Sequence, residues 1–470
     1  MNKVTQVAEV TGICPKKELF MGKYFGTDGF RGKSGTVLTA EHAFKIGRFL
    51  GWYYGREHHA KIVIGKDTRR SSYMYENALA AGITASGSDA YLLHVTTTPC
   101  VAYITRTDNF DCGIMISASH NPYVDNGIKL MNGDGEKMED EIQDQIEQYI
   151  DNLVENPPFA TGENIGCTVD YYSGRNRYIG YLTNVATKSF ENRKVALDCA
   201  NGSSWMIARA VFDALGAKTF VINDEPNGVN VNENCGSTHI GGLCEYVKDK
   251  KMDVGFAFDG DADRCLAVDE NGNVVDGDRI MYVCAKYLKK IGQLPDNAVV
   301  TTVMSNFGLY KALDRIGINY EKTKVGDRYV YENMKKNNHM IGGENSGHII
   351  FRKYARTGDG ILTAIMVMMV LIDTQLPLSV LASEVELYPQ VLKNVEVDSK
   401  EGTMNDPAVI LQTEACTAEL GSNGRVLVRP SGTEEVLRVM SEAGTKEECE
   451  HMVDSIIESI RKSGHLLKVR

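Results

Sequence analysis

Short apolar runs alternate along the chain with longer segments of mixed polarity. Each run holds four to six residues and is closed by glycine or by small polar residues, which is typical of buried strands. The longer segments repeat apolar residues three or four positions apart, as amphipathic helices do. Because predicted strands and helices alternate along the chain, the pattern predicts parallel or mixed sheets covered by helices. The predicted strands are at 61–65, 113–116, 195–198, 254–258 and 299–304.

Two segments predict helices of different character. Segment 138–155 predicts an amphipathic helix whose apolar face is formed by Met138, Ile142, Ile146, Ile150 and Leu153. Segment 361–372 is apolar except at its third residue, a threonine. A helix needs about 20 apolar residues to span a bilayer, so this segment predicts a helix buried inside the protein.

The length and the changes in composition predict several domains. A chain of 470 residues exceeds the size at which a single hydrophobic core stops growing. A proline-containing linker at 155–159, a turn-rich stretch at 269–278 and the end of the buried helix at 373–377 mark boundaries. They separate three β/α units from a smaller last unit of about 80–90 residues. The first twenty residues have no continuous apolar segment and are expected to be an extension ahead of the fold.

Charge and cysteine content narrow the choice of partners and compartment. The formal net charge of −11 argues against nucleic acid and anionic membrane surfaces as partners. The 11 cysteines include no C-x-x-C pair, and several stand in apolar runs, as free thiols do in a reducing compartment. The N-terminus has no signal-peptide layout. We therefore expect a cytoplasmic protein that binds neither nucleic acid nor membrane.

Three carboxylates stand at alternate positions of the segment DGDAD, at Asp259, Asp261 and Asp263. Carboxylates that converge in a tight loop bind a hard cation such as Mg²⁺ or Ca²⁺. The competing interpretation is an EF-hand in a non-enzymatic calcium-binding protein, but its sixth loop position requires glycine and is Arg264 here. The loop also follows a predicted strand rather than a helix. We expect a metal site at a strand end, with Arg264 facing a phosphoryl group.

The C-terminal segment RPSGTEEVLR contains a candidate phosphate cradle. Its cations, hydroxyls and backbone N–H groups could surround a phosphate. Ser-Gly-Thr is also ordinary turn chemistry, so a simple turn is the alternative. The candidate residues are Arg429, Ser431, Gly432, Thr433 and Arg438.

Two other polar segments carry candidate binding groups. GGENSGH presents donors and acceptors suited to sugar hydroxyls or an amine, although a polar surface loop has the same composition. Its candidates are Glu344, Asn345, Ser346 and His348. GTDGFRG, at 26–32, predicts a flexible loop that carries Arg31.

The segment SASHNP follows a predicted strand and contains two serines, Ser117 and Ser119, and His120. A serine–histidine pair could indicate a hydrolase, but adjacent residues rarely meet in the required geometry, and there is no G-x-S-x-G turn. Serines that cap a turn are the alternative for this segment alone. In the company of an acidic metal loop, a phosphate cradle and the cations Arg31 and Lys129, the segment favours phosphoryl transfer on a carbohydrate.

Nine segments stand in the order typical of one enzyme family. They are YFGTDGFRG, ISASHNPYVDNGIKL, DCANGSS, NGVNVNENCGSTH, AFDGDADR, KVGDRYV, GGENSGH, TGDG and RPSGTEEVLRVM. From about Gly22 to the C-terminus the chain resembles the α-D-phosphohexomutases, most closely the bacterial members that act on glucosamine phosphates. The resemblance implies an α/β, four-domain architecture around a central cleft. Three related α/β domains with mixed sheets precede a smaller one similar to the TATA-binding protein. The expected bounds are 22–172, 173–276, 277–386 and 387–470, after the extension 1–21.

The resemblance also implies roles for the candidate residues. The serine directly before His-Asn-Pro, Ser119, is the one implied to carry a phosphoryl group, and a phosphoserine oxygen is implied to bind Mg²⁺ together with Asp259, Asp261 and Asp263. Lys129 is the implied acid/base, with Arg31 and His348 as alternatives. The other groups implied at the transferring phosphoryl group are His120 and Arg264. Glu344, Asn345 and Ser346 are implied to contact the sugar, and Arg429, Ser431, Gly432, Thr433 and Arg438 to hold the phosphate that does not react.

The implied reaction interconverts glucosamine 6-phosphate and glucosamine 1-phosphate. It passes through the phosphoserine and a sugar 1,6-bisphosphate, which is both intermediate and activator. Glucose and mannose phosphates are the alternative substrates on the same scaffold, and Asn345 favours the amino sugar. A phosphosugar is thus the implied partner, and both a monomer and a homodimer are compatible with the resemblance.

Overall fold

The computed structural model describes residues 22–26, 28–431 and 436–470, which form four β-sheets with helices packed against them. The α/β class with mixed sheets, expected from the alternating pattern, is confirmed. The expected extension at 1–21 and two residues of the expected phosphate cradle, Gly432 and Thr433, lie outside the described residues.

The first unit is built on a mixed seven-stranded sheet. It comprises β1 (Phe25–Gly26), β2 (Gly29–Lys33), α1 (Ala40–Tyr54), β3 (Lys61–Lys66), α2 (Arg70–Thr84), β4 (Asp89–Val95), α3 (Thr98–Thr107), β5 (Cys112–Ile116), β6 (Asp125–Asn132), α4 (Asp140–Ile150) and β7 (Thr168–Asp170). The strand order is β1-β2-β6-β5-β3-β4-β7. Strands β5, β3, β4 and β7 run parallel, whereas β6 is antiparallel to β5.

The second unit repeats this plan on five strands. It comprises α5 (Tyr172–Val185), β8 (Lys194–Asp198), α6 (Ile207–Ala214), β9 (Lys218–Ile222), α7 (Gly241–Lys250), β10 (Val254–Phe258), β11 (Cys265–Val268) and β12 (Val274–Val275). The order is β12-β11-β10-β8-β9, with β10, β8 and β9 parallel and β11 antiparallel to β10. All residues of β10 are buried, as its apolar sequence VGFAF predicts.

The third unit has four strands in the order β14-β13-β15-β16. It comprises α8 (Gly277–Lys290), β13 (Ala298–Thr302), α9 (Phe307–Arg315), β14 (Asn319–Thr323), α10 (Asp327–Asn337), β15 (Ile341–Gly343), β16 (Ile349–Phe351), α11 (Gly360–Thr374) and α12 (Leu378–Ala382). Strands β14, β13 and β15 are parallel, and β16 is antiparallel to β15. Helix α11 is the predicted buried helix, and Asp359 caps its first turn.

The fourth unit differs, because its sheet is entirely antiparallel. It comprises β17 (Gln390–Val397), α13 (Lys400–Asn405), α14 (Pro407–Leu420), β18 (Arg425–Pro430), β19 (Val436–Glu442), α15 (Lys446–Lys462) and β20 (Leu466–Val469). The order is β18-β19-β17-β20. The division into 22–172, 173–276, 277–386 and 387–470 stays a prediction in its individual boundaries.

One hydrophobic core runs through the first three units, whereas the fourth has its own. The shared core includes α3, β10 and α11, and the separate core packs α14 and α15 on the sheet of the fourth unit. Polar groups join the fourth unit to the third. The buried carboxylate of Glu442 accepts a hydrogen bond from the Phe307 N–H at 2.9 Å, and Arg425 donates to the Ser305 carbonyl at 2.5 Å. A polar junction of this kind is easier to rearrange than an apolar core.

Within the described part of the chain, no helix combines the length and the apolar character needed to cross a bilayer.

Two local predictions were wrong. Arg31 lies on β2, opposite Gly127 of β6, rather than in a flexible loop. The neighbouring Phe30 is buried and packs the strand into the core. The glycines on both sides of Phe30 and Arg31 made the segment resemble a loop in sequence.

The helix predicted over 138–155 extends only over Asp140–Ile150. Leu153, placed on its apolar face by periodicity, is 73% exposed, because the chain turns through a left-handed Asn152.

Candidate active site

The same topological position carries a polar loop in each of the first three units. There a parallel strand is followed by a loop and then by an antiparallel neighbour: β5 to β6, β10 to β11, and β15 to β16. The three loops span 117–124, 259–264 and 344–348. They hold the two serines, the three aspartates and most of GGENSGH, so the repeated fold brings together segments that are far apart in sequence.

Ser119 lies against the aspartate loop. Its side chain is buried, and its hydroxyl donates to Asp259 Oδ2 at 2.6 Å. Nδ1 of His120 lies 3.2 Å from the same hydroxyl. Ser119 has a φ of 51°, a left-handed conformation that non-glycine residues rarely adopt and that is common at functional sites.

Ser117 stabilises the conformation of the loop at 117–124. Its hydroxyl donates to Asp67 Oδ2 at 2.7 Å and accepts from the Ser119 N–H at 2.9 Å. Arg69 is fully buried and donates to the carbonyls of Ser119, at 3.2 Å, and Asn121, at 2.5 Å. The structure therefore brings Ser119, and not Ser117, to the aspartates.

The three aspartates form a site that fits a hard divalent cation. Asp259, Asp261 and Asp263 are buried, and one carboxylate oxygen of each lies within 4.8 Å of the others. Oδ1 of Asp261 and Oδ1 of Asp263 are buried without a hydrogen-bond partner among the residues that the structure describes. Unpaired buried carboxylate oxygens are costly unless a cation binds them, and oxygen ligands of this kind suit Mg²⁺. Burial and the charges of Asp263 and Asp261 raise the pKa of Asp259 well above its usual range.

Lys129 enters the site from β6. Its Nζ lies 2.9 Å from Asp261 Oδ2, 3.1 Å from Asp263 Oδ2 and 3.4 Å from Asp28 Oδ1. Burial disfavours its charge, but the three carboxylates override burial and raise the pKa of Lys129 well above its usual range. Burial likewise disfavours the charge of Asp263, yet Lys129 and His348 hold the pKa of Asp263 well below its usual range. Lys129 is therefore a protonated ammonium among the carboxylates.

Two arginines border this cluster. The backbone N–H of Arg264 donates to Asp259 Oδ1 at 3.2 Å, and its Nε lies 3.9 Å from Asp263 Oδ1. Arg31 pairs with Asp28. In both arginines Nε is buried without a hydrogen-bond partner in the described part of the chain. Such donors suit an incoming anion.

The two histidines differ in their surroundings. Burial and the charges of Arg264 and Arg31 lower the pKa of His120 to about 4, so its ring is neutral at pH 7. Nδ1 of His348 lies 3.7 Å from Asp263 Oδ1, while its Nε2 accepts from the Gly358 N–H at 3.0 Å. Burial lowers the pKa of His348, but Asp263 raises it to about 9. The acidic surroundings thus favour the charged ring, and the acceptance of the Gly358 N–H by Nε2 is the one contact that a second proton would break.

The third loop lies beside these groups. Glu344 Oε1 accepts from the Gly326 N–H at 3.0 Å, and Glu344 raises the pKa of both Arg264 and His348. The hydroxyl of Ser346 is buried without a hydrogen-bond partner among the described residues, and the Asn345 side chain is exposed. The loop thus has polar groups that are not engaged within the protein.

The fourth unit carries a pair of neighbouring arginines on adjacent strands. Arg429 on β18 and Arg438 on β19 are register partners. Nε of each is buried without a hydrogen-bond partner in the described residues, and burial together with Arg438 lowers the pKa of Arg429. Ser431 is buried next to them. Two adjacent cations that repel each other are stabilised by a bound anion such as phosphate.

Sequence reasoning missed three residues of the centre. Thr98 donates to Asp261 Oδ2 at 2.6 Å, Asn232 Nδ2 donates to the Ser119 carbonyl at 2.8 Å, and Asp28 contacts Lys129. Asp28 and Asn232 lie within motifs that carried the resemblance, which could have pointed to them. Thr98 begins α3 and has no comparable sequence signal.

A cavity of about 300 Å³ opens beside the cluster. Asp28, Lys129, Asp263 and His348 line it on one side, and α10 of the third unit lines the other. Arg328 of α10 bonds both carboxylate oxygens of Asp140 at 2.7 Å, which ties the first unit to the third across the cavity. Its volume is at the lower end of those of small-molecule sites.

Comparisons with known proteins show the family of the chain. The chain matches the models of Phosphoglucomutase/phosphomannomutase alpha/beta/alpha domain I at 22–156, domain II at 176–272, domain III at 276–388 and the C-terminal domain at 392–459. A phosphoglucosamine mutase of Lachnospira eligens is 61% identical over 448 residues, which cover 95% of this chain and 100% of that protein.

Solved structures share the fold at low identity. A phosphoglucomutase/phosphomannomutase family protein of Burkholderia thailandensis superposes with a TM-score of 0.77 at 21% identity, over 93% of this chain and 97% of that one. An N-acetylphosphoglucosamine mutase of Aspergillus fumigatus, in complex with GlcNAc-6P and magnesium, gives a TM-score of 0.67 at 17% identity, over 94% and 96%. With four matching domains and this coverage, the chain belongs to the phosphoglucomutase/phosphomannomutase family, the α-D-phosphohexomutases.

Proposed function

We propose that the protein interconverts glucosamine 6-phosphate and glucosamine 1-phosphate, using Ser119 as a phosphoryl carrier. The observation that carries the proposal is the 2.6 Å contact between the Ser119 hydroxyl and Asp259, inside a buried cluster of three aspartates. A hydroxyl at this place can both receive and return a phosphoryl group.

The reaction consists of two transfers. In the first, the O1 oxygen of glucosamine 6-phosphate attacks phosphoserine 119, its proton passes to a base, and the serine Oγ–P bond breaks. Ser119 Oγ takes a proton, so that glucosamine 1,6-bisphosphate and a free Ser119 hydroxyl result. The bisphosphate then turns over, and Ser119 Oγ attacks its 6-phosphoryl group while the hydroxyl proton passes to a base. The O6–P bond breaks, O6 takes a proton, and glucosamine 1-phosphate leaves a rephosphorylated serine. The bisphosphate is therefore an intermediate and, when added, an activator.

The proposed residues form two groups, one at the transferring phosphoryl group and one that binds the other phosphate. Lys129 is the acid/base candidate. The carboxylates hold it as an ammonium, so it can donate the proton that O6 takes, but it would have to lose its own proton before it could accept the one from O1. Arg31, His120, Arg264 and His348 lie near the same cluster. Mg²⁺ held by the three aspartates and the phosphoserine would offset charge on the transferring phosphoryl group. Binding energy far from the reacting atoms orients a substrate. The arginine pair of the fourth unit would supply it by binding the phosphate that does not react.

The sugar is assigned from the third loop and from the relatives. Glu344, Asn345 and Ser346 offer unengaged polar groups, and the 61% identical protein of Lachnospira eligens is named a phosphoglucosamine mutase. One amide against a sugar substituent is worth about 1–2 kcal/mol, so glucose and mannose phosphates are expected to react slowly. The ten described cysteines are free thiols, which supports a reducing compartment such as the cytoplasm.

Intact mass and kinetics test the proposal together. Incubation with glucose 1,6-bisphosphate should add one phosphoryl group to the wild type and to Ser117→Ala, but none to Ser119→Ala. Ser119→Ala should fold normally and lose mutase turnover; substantial turnover in that variant would reject the carrier role. A calcium-binding protein without enzymatic activity, the alternative from the acidic loop, would take up no covalent phosphate. Comparison of kcat/KM for glucosamine, glucose and mannose phosphates tests the sugar assignment.

A further inference from the structure

A second cavity, of about 750 Å³, opens between the first and second units. It is lined by the start of α2, the end of β4, the start of α5 and the loops at 205–206 and 226–228. None of the aspartates, Lys129 or His348 lines it. The cavity is within the range of small-molecule sites, about 300–1,000 Å³, and the proposed function gives it no role.

The charged residues that line this cavity are all cationic. They are Lys66, Arg70 and Arg175, and no carboxylate lines the cavity among the described residues. Lys66 is buried and paired with Glu76, but the Arg70 side chain has no hydrogen bond or ion pair in the described part of the chain. Arg175 contacts only the Val95 carbonyl there, at 3.5 Å. In a chain with a formal net charge of −11, unpaired cations around a cavity point to an anionic ligand.

Backbone dipoles add to this positive potential. Helices α2 and α5 begin at the cavity, with Arg70 and Tyr172 as their first residues, and Met206, the N-cap of α6, also lines it. None of the three helices has a side chain that caps its N-terminus within the described part of the chain. The Arg70 N–H donates to the Gly228 carbonyl, and the Ile207 N–H donates to the Ser204 carbonyl. The helices therefore add to the potential through their dipoles, which are positive at the N-terminus, rather than through free N–H donors.

Aromatic faces line the rest of the cavity. They belong to Tyr73, His94, Tyr172 and Trp205. The rings of His94 and Tyr172 stack at 4.9 Å between centroids, and Tyr73 and Tyr172 are each 50% exposed. Stacking of a nucleobase on an aromatic side chain is worth about 1–3 kcal/mol. A ligand with a flat base and more than one phosphate therefore matches the lining better than a phosphosugar does.

The segment 66–70 joins this cavity to the active site. Its residues alternate: Lys66, Thr68 and Arg70 line the cavity, whereas Asp67 and Arg69 hold the serine loop through Ser117 and the Ser119 carbonyl. A ligand in the cavity would thus contact three residues of this segment, and the two residues between them hold the serine loop.

We propose that this cavity is a nucleoside diphosphate site and that its occupancy changes the mutase rate through segment 66–70. The diphosphate would bind to Arg70, Arg175 and the helix N-termini, and the base would stack on Trp205 and the neighbouring rings. The binding claim stands independently of the proposed function, whereas the rate claim rests on it.

Intrinsic fluorescence can test binding without any activity measurement. The chain has two tryptophans, Trp52 and Trp205, so Trp52→Phe leaves the one at the cavity as the only reporter. With EDTA present to keep Mg²⁺ from the aspartates, ADP should quench this fluorescence saturably. Inorganic pyrophosphate, which has no base, should bind at least tenfold more weakly. Calorimetric titration of the wild-type protein with ADP should give the same Kd and covers the case of a misfolded reporter variant.

Charge variants then locate the site. In the Trp52→Phe background, Arg70→Ala with Arg175→Ala should raise the Kd for ADP at least tenfold. Arg209→Ala is the matched control, since Arg209 is also exposed and unpaired in the described structure but does not line the cavity; its Kd should stay within twofold. No saturable binding of ADP, equal binding of pyrophosphate, or an unchanged Kd in the double variant would each overturn the site.

The mutase assay tests the coupling. ADP should change kcat/KM at least twofold with the midpoint found by fluorescence, and the double variant should lose this response. If ADP saturates the fluorescence while the rate stays constant, or if the double variant keeps the full response, the coupling is overturned. Loss of mutase activity in all forms, with ADP binding intact, would instead reject the proposed function alone.

Discussion

Replacement of Gly260 by alanine should misplace Ser119, the proposed phosphoryl carrier. A Cβ at this position would lie 2.6 Å from the Ser119 carbonyl oxygen and 3.1 Å from Asn232 Nδ2, which donates to that oxygen. An ordinary contact begins near 3.4 Å, so the serine loop and the aspartate loop must separate by about 0.8 Å. A displacement of about 1 Å at a reacting group costs about 100-fold in rate, or about 2.7 kcal/mol of activation free energy.

The expected result is a fall in kcat of about 100-fold, with overpacking that lowers the unfolding free energy by about 1–3 kcal/mol. Turnover of glucosamine 6-phosphate can be followed by ³¹P NMR, and denaturant unfolding reports stability. Gly241→Ala is the control, because a Cβ there meets nothing within 4 Å; its kcat should match that of the wild type. A folded Gly260→Ala protein with kcat within threefold of the wild type would refute the view that close approach of the two loops positions Ser119.

Three further predictions follow from other parts of the structure. Ser117→Ala should lower the unfolding free energy by about 1–3 kcal/mol, since the Asp67 carboxylate loses a buried donor, but should keep measurable turnover; complete loss of activity would give Ser117 a role in chemistry. Arg438→Ala should raise KM for phosphosugars about tenfold or more with a much smaller change in kcat, and unchanged kinetics would place the phosphate grip elsewhere. Burial and the charge of Asp276 raise the pKa of Asp278 to about 7, so the folded state favours the neutral carboxyl and the unfolding free energy should fall as pH rises from about 4 to about 7. In Asp278→Asn, the unfolding free energy measured by denaturant unfolding should depend less on pH over this range. An unchanged pH dependence would contradict the raised pKa of Asp278.

Much of the fold and of the site could be read from local patterns. The apolar run VGFAF predicts β10 because a fully buried strand needs no polar alternation, and the apolar segment at 361–372 predicts α11 for the same reason. DGDAD predicted a metal site because its three carboxylates lie within five consecutive residues, so their closeness in space can be expected from the sequence alone. The strand that carries Arg31 was missed, because its glycines do not favour a strand locally. Its pairing comes from β6, which lies almost 100 residues later in the chain.

The sequence by itself determined which chemistry is available: three carboxylates in one loop, a serine after a strand, and a family pattern of ordered motifs. It left Ser117 and Ser119 equal on local grounds, and only the resemblance separated them. The tertiary structure gives them different contacts, since the Ser119 hydroxyl donates to Asp259 while the Ser117 hydroxyl donates to Asp67. It also aligned three loops at equivalent positions of three sheets and exposed a second, cationic cavity. The two serine contacts join residues 50 and 140 positions apart, and such contacts are set by the packing of whole sheets and helices, which no local pattern encodes.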